Sequence, residues 1–162
     1  MSRISPSILA RAITAVQAMD FRGKERLADE VFRAQPHLFG SFLVQQRLGV
    51  SLDKMEFLLE LLLVCFQAMK ESGLTWPVIT EADLERQSQR YVASVKFGDG
   101  LADDLRDRAM RQYIEVHPEP TLLAYVQAES ANWLKRINPD ETDKYVLLAA
   151  ANFVNGIAYA RT

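Results

Sequence analysis

The chain has 162 residues, 49% hydrophobic and 25% charged, with 7 Gly and 6 Pro, a composition that fits one folded domain with a substantial core and excludes a disordered chain. A formal net charge of -2 gives no global positive field for nucleic acid or anionic lipid. Cys65 is the only cysteine, which excludes an intrachain disulfide and a thiolate cage for zinc or an iron–sulfur cluster, and a reducing cytoplasm is the expected compartment.

The predicted elements are helical from the start. In the N-terminal stretch the apolar residues are interrupted by Arg11, Thr14 and Gln17, so no continuous signal-peptide core forms and a helix of the mature protein is expected. Ser5 caps it with Pro6 at its first position, and Leu9, Ala12, Ile13, Val16 and Met19 share one face. The segment DFRG, 20–23, breaks it. A second helix turns Leu27, Val31 and Phe32 inward and stops before Pro36, because the residue ahead of a proline disfavours helical geometry. The third carries Leu38, Phe39, Phe42, Leu43 and Leu48 and ends at Gly49, which can take a left-handed conformation.

The fourth helix starts at Ser51 or Asp53 and runs toward Gly73; with Asp53 as cap, Glu56 completes a capping box. From Phe57 to Met69 only Glu60 and Gln67 are polar. The unbroken apolar run, Leu61 to Phe66, is far short of the roughly 20 residues that a bilayer requires, so no membrane partner is expected. Its polar positions Asp53, Glu56, Glu60, Gln67 and Glu71 form a narrow line. Such a helix is either the central one of the core or has one side on a partner.

After the loop GLTWPVIT, Thr80 and Asp83 offer a capping signal for a fifth helix with Leu84, Tyr91, Val92 and Val95. GDG at 98–100 separates it from a sixth with Leu101, Leu105, Ala109, Gln112 and Tyr113, which HPEP at 117–120 ends. Leu122, Leu123, Val126, Trp133, Leu134 and Ile137 give the seventh, and Asn138 with Pro139 is a cap and first turn for the eighth. No segment argues for a sheet. The expectation is an all-α single compact domain of seven or eight packed helices over residues 1–162. LLVCFQA at 62–68 and LLAYVQA at 122–128 share four residues, and the same offset sets Glu81 and Asp83 opposite Glu141 and Asp143. Leu and Ala abound in helices, so shared composition is the expected cause and not duplication.

LGVSLDKMEFLL, 48–59, resembles the turn and second helix of helix-turn-helix DNA binders, with Leu48, Gly49, Val50, Ser51, Met55 and Leu58 at that family's positions. The resemblance implies a regulator that uses residues 36–59, with the start of the second helix at base edges. The chain departs from the pattern at Gln45, where the family has a small residue. The reading helix would present Asp53, Glu56 and Glu60 beside Lys54 alone, a negative surface that repels phosphates, so DNA is not expected as a partner.

DDLRD, 103–107, resembles the aspartate-rich motif by which isoprenoid synthases hold magnesium and a diphosphate, which would make Asp103, Asp104 and Asp107 metal ligands. Those enzymes carry a second acidic motif that this chain does not have. Aspartates are favoured in a helix's first turn by its dipole, and Asp104 with Arg108 and Asp107 with Arg111 are spaced as surface pairs. Capping and solubility are therefore the expected role, with no metal and no cofactor. Neither His37 nor His117 sits in an E-x-x-H or H-E-x-x-H motif, and no glycine-rich phosphate loop or G-x-S-x-G elbow occurs, so no catalytic residue is nominated. Cys65, within the most apolar helix, should be protonated and inert.

In the last helix Tyr145, Leu148, Asn152, Asn155 and Tyr159 fall near one line, with Val146, Ala149, Phe153, Ile157 and Ala160 on another. Amides on a helix apolar nearly all round must find partners, which makes Asn152, Asn155, Tyr145 and Tyr159 the candidate ligand or interface residues. The leading expectation is a non-catalytic helical interaction or regulatory module. It would be homodimeric, binding itself or another protein through apolar helix surface. The alternatives are the DNA-binding regulator and a small sensor or enzyme with a pocket between the fourth and eighth helices.

Overall fold

Helix-starting side chains fix the first half of the chain. The computed structural model describes residues 2–161, the side chains at 97 and 98 excepted, and contains eight helices and no strand among the described residues. Ser5 Oγ accepts the Ile8 N–H at 3.2 Å and opens α1, Pro6–Gln17. Asp20 opens α2, Phe21–Ala34, by accepting from Gly23 N at 2.8 Å, so DFRG is as much a start as a break. α3 is Pro36–Arg47, and Gly49 reverses the chain at φ 90°, a conformation open chiefly to glycine. α4 is Leu52–Glu71 with Ser51 as its cap. Asp53 therefore lies inside the first turn, where its charge suits the dipole, and the Asp53–Glu56 capping box does not form.

α5 is Glu81–Asp99, α6 Asp103–Val116, α7 Pro120–Leu134 and α8 Asp143–Ala158. The box expected at α5 does form: Thr80 N donates to Asp83 Oδ2 and Asp83 N to Thr80 Oγ1, both at 3.1 Å. α8 begins later than Asn138–Pro139 had indicated, and the cause is Lys54. This first-turn lysine of α4 points inward with 7% of its surface exposed, and a buried ammonium requires acceptors. Its Nζ donates to Asn138 O at 2.9 Å, Asp140 Oδ2 at 2.8 Å and Asp143 Oδ1 at 2.6 Å. Residues 138–142 wrap around that ammonium and stay out of the helix. Asp143 also accepts from Asp140 N at 3.0 Å, the same local duty that Asp83 performs for Thr80.

α4 is the centre of the core. Every side chain from Leu61 to Met69 is buried, and α1, α2, α3, α7 and α8 pack around it. One chain therefore encloses the middle of α4, while its first half keeps Asp53, Glu56 and part of Phe57 and Glu60 at the surface. Each Leu hidden this way contributes about 1.5–3 kcal/mol. α8 packs directly on α4 and also touches α3, α5 and α7. Cys65 is fully buried, and desolvation pushes its thiol up to about 12. Among the described residues no helix is long and apolar enough to cross a membrane.

Several residues assigned to inner faces lie outside. Phe32, Leu43 and Leu48 are 56%, 47% and 44% exposed. Phe32 rests edge-on against Phe39, centroids 5.9 Å apart, on the surface. The apolar stripes of α2 and α3 are wider than the strip that α4 can cover.

Candidate functional site

The least covered part of the molecule is the hairpin of α5 and α6. α6 has no buried residue. Val92, Val95, Leu105, Met110 and Val116 are exposed along the arm, although each is an apolar position of an amphipathic helix. Between residues 85 and 116 stand six acidic and six basic side chains, interspersed along both helices.

The polar line of α8 forms the seat of this arm. Asn152 Nδ2 donates to Leu84 O at 3.2 Å, on the first turn of α5. At Gly156 the two helices come close enough that a Cβ would stand 3.0 Å from Leu84 Cδ2. Asn155 is tied to the end of α6 by a 2.8 Å contact from its Oδ1 to His117 Nε2. The Glu119 N–H donates to His117 Nδ1 at 3.1 Å, so Nδ1 is the acceptor and Nε2 carries the proton toward Asn155. The edges of Tyr113 and Tyr159 flank that imidazole at 5.6 and 5.9 Å, and the Arg90 guanidinium of α5 lies 4.5 Å from the Tyr159 ring. Burial raises the Tyr91 and Tyr113 hydroxyls above their ordinary pKa. A groove of about 340 Å³, lined by Tyr91, Met110, Tyr113, Leu123, Leu134 and Ala151 among others, runs under the arm.

A charged buckle lies next to it. Glu119 is fully buried and accepts from Arg3 N at 2.8 Å, Ile4 N at 3.1 Å and Ser2 Oγ at 3.0 Å. Arg3 reaches past it to the last carbonyls of α8, donating to Ile157 O at 3.0 Å, Ala158 O at 2.8 Å and Ala160 O at 2.7 Å. A guanidinium there satisfies orphan carbonyls and suits the negative end of the helix dipole. Sequence reasoning did not single out Arg3, Glu119 or Lys54. The available signal was a charged residue at an inward position beside a helix end, which is visible only once the helix ends are known.

Three of the sequence candidates, Asn152, Asn155 and Tyr159, thus meet at the arm's seat. Tyr145 is separate. With Leu148 and Asn152 it lines a groove of about 660 Å³ between α3, α5 and α8, whereas α4 and α8, between which the sensor alternative set a pocket, lie in direct contact. Gln45 and Asn152 border this groove, and their side-chain oxygens are buried with no donor among the described residues.

Asp103, Asp104 and Asp107 are exposed, and no group of three His, Cys, Asp or Glu is placed to hold a metal ion among the described residues. Asp103 lies 4.0 Å from Arg106; the expected Asp104–Arg108 and Asp107–Arg111 pairs do not appear, a correction that fits the small worth of exposed pairs. At the α3–α4 turn Met55 and Leu58 are buried as the helix-turn-helix resemblance implies, but Lys54 is turned inward while Asp53 and Glu56 face out. His37 is a surface residue, with Nδ1 3.7 Å from Glu81. Comparison of the chain with protein-family models, curated proteins and solved structures finds no match.

Proposed function

We propose that this protein is a non-catalytic helical interaction module that self-associates through the α5–α6 arm in a reducing cytoplasm. The observation that carries the reading is α6, fourteen residues long with none buried, beside exposed Val92 and Val95 of α5. The mixed, balanced charge of the arm supports a second copy as the occupant, because an isologous contact sets each patch against itself and needs both signs on one surface. Nucleic acid requires a basic face, which neither the arm nor the start of α4 has.

The test is mass in solution across a concentration series. A stable dimer buries about 1,200–2,000 Å² in total, and Val95→Glu with Leu105→Glu should convert it to a monomer. The monomer should stay folded, since both positions are exposed, and its melting temperature should lose only the concentration-dependent part that association contributes. A wild-type chain that is monomeric at high concentration refutes the reading.

A small-molecule sensor is the second reading, favoured by the Gln45 and Asn152 oxygens. Their amide nitrogens face Ser41 O and Leu84 O, so the oxygens are the atoms left to accept. Aromatic amides or aminopurines that raise the melting temperature of the wild type, and not of Asn152→Leu, would favour it.

A further inference from the structure

A second surface differs from the arm in both shape and charge. Between α1, α2, α4 and α7 opens a groove of about 840 Å³. Its lining is aromatic: Phe57 lies flat on Trp133, centroids 4.6 Å apart and planes within 5°, and Tyr125 also borders the groove. Phe21, the first residue of α2, stands at the mouth with 81% of its surface exposed. Exposed aromatics beside an apolar groove are the usual anchors of an interface.

The rim is acidic. Asp53, Glu56 and Glu60 from α4, Glu25 from α2 and Glu129 from α7 border the groove. Lys24 is paired with Glu60. Glu25, Asp53, Glu56 and Glu129 have no ion pair among the described residues, and Arg136 is the other cation present. Burial, and after it the nearby carboxylates of Glu129 and Glu60, hold the Tyr125 hydroxyl above its ordinary pKa. Along α4 the carboxylates of Asp53, Glu56 and Glu60 recur about once per turn, roughly 5 Å apart. Cations one turn apart on a partner helix have the same spacing.

We infer that this groove docks a basic amphipathic helix of a partner protein, with apolar side chains on Phe21, Phe57 and Tyr125 and lysines or arginines over Asp53, Glu56, Glu25 and Glu129. Such helix-in-groove recognition joins an apolar stripe to a charged border. Nucleic acid and anionic lipid would be repelled by the same rim. The inference goes beyond self-association and involves the arm in no contact.

Fluorescence anisotropy on the full chain tests it, with a dye-labelled leucine–lysine amphipathic peptide of about four helical turns and its leucine–glutamate counterpart. The lysine peptide should bind at least about tenfold tighter than the glutamate peptide, and lose about tenfold as salt rises to about 0.5 M. Glu56→Gln with Glu129→Gln should weaken it by about tenfold and Phe21→Ser by about fivefold, with melting temperatures unchanged because these side chains are not core. Equal binding of the two peptides overturns the inference. So does full affinity in the Glu56/Glu129 variant, or displacement of the peptide by spermine together with no effect of Phe21→Ser, which would mean an acidic surface with no groove contact. A dimer that persists while peptide binding fails leaves the self-association reading standing, and the converse result separates the two in the other direction.

Discussion

α4 and α6 are built from similar helix-forming material and end in opposite circumstances. α4 buries twelve of its residues, Lys54 and Gln67 among them, and α6 buries none. The difference lies in what surrounds each. α4 is covered by five helices, whereas α6, among the described residues, packs chiefly on α5 and α7, with its Tyr113 and Asn155 of α8 lining one groove. Apolar residues on α4 therefore stabilise the fold, whereas on α6 only half-buried residues such as Tyr113 and Ile114 pack against the core, and Leu105, Met110 and Val116 are left exposed. Surface that does not contribute to folding is the surface available for association.

The largest expected effect breaks the comparison if it fails. Phe153→Ala, at a fully buried position of α8, should cost about 3–5 kcal/mol, whereas Leu105→Ala on α6 should cost no more than about 0.5 kcal/mol, both read by denaturant unfolding. Similar losses at the two sites would mean that α6 is covered after all.

The seat of the arm comes next. Asn152→Leu removes the hydrogen bond to Leu84 O and should lower stability by about 1 kcal/mol without altering the mass in solution, because the amide is inside the protomer. A change in mass at constant stability would move Asn152 from the seat to the interface.

The smallest effect concerns the Lys54 cluster, whose Asp140 is 49% exposed and screened by solvent. Hydrogen bonds from Lys54 and Thr142 depress the Asp140 carboxyl to about 2. Its contribution is present above the unfolded carboxylate pKa of about 4 and is lost as pH falls through the folded value near 2. Lys54 is raised in turn by Asp140 and Asp143, so its contribution is present below the ordinary lysine pKa and is lost as pH rises through its folded value. Lys54→Met should flatten both limbs of the melting temperature against pH, the acid limb being the easier to measure. Unchanged limbs would show that the cluster contributes only geometry.

Much of the fold was legible in the sequence because its signals are local. Ser5 and the Thr80–Asp83 box start the helices they were read to start, Ser51 is the cap where Ser51 or Asp53 stood open, and Gly49 and Gly73 take positive φ where helices end. Of the candidate site, the spacing put Asn152, Asn155 and Tyr159 on one line of α8, and it did not say that Asn152 would bond Leu84 O and Asn155 His117. Tyr145 shares the spacing but faces a different groove, since a line on a helix does not say which neighbour passes over each turn.

By itself the sequence determined the helical periods, the caps, the breaks and the all-α class, all set by residues within a turn or two of one another. Only the tertiary structure decided that the middle of α4 is enclosed, that α6 buries no residue, and that the start of α8 yields to Lys54 from 84 to 89 residues away. A helix's apolar stripe records how much surface it can bury. What buries it depends on packing between segments distant in the chain, and a buried ammonium can override a local cap because desolvating it without partners costs several kcal/mol.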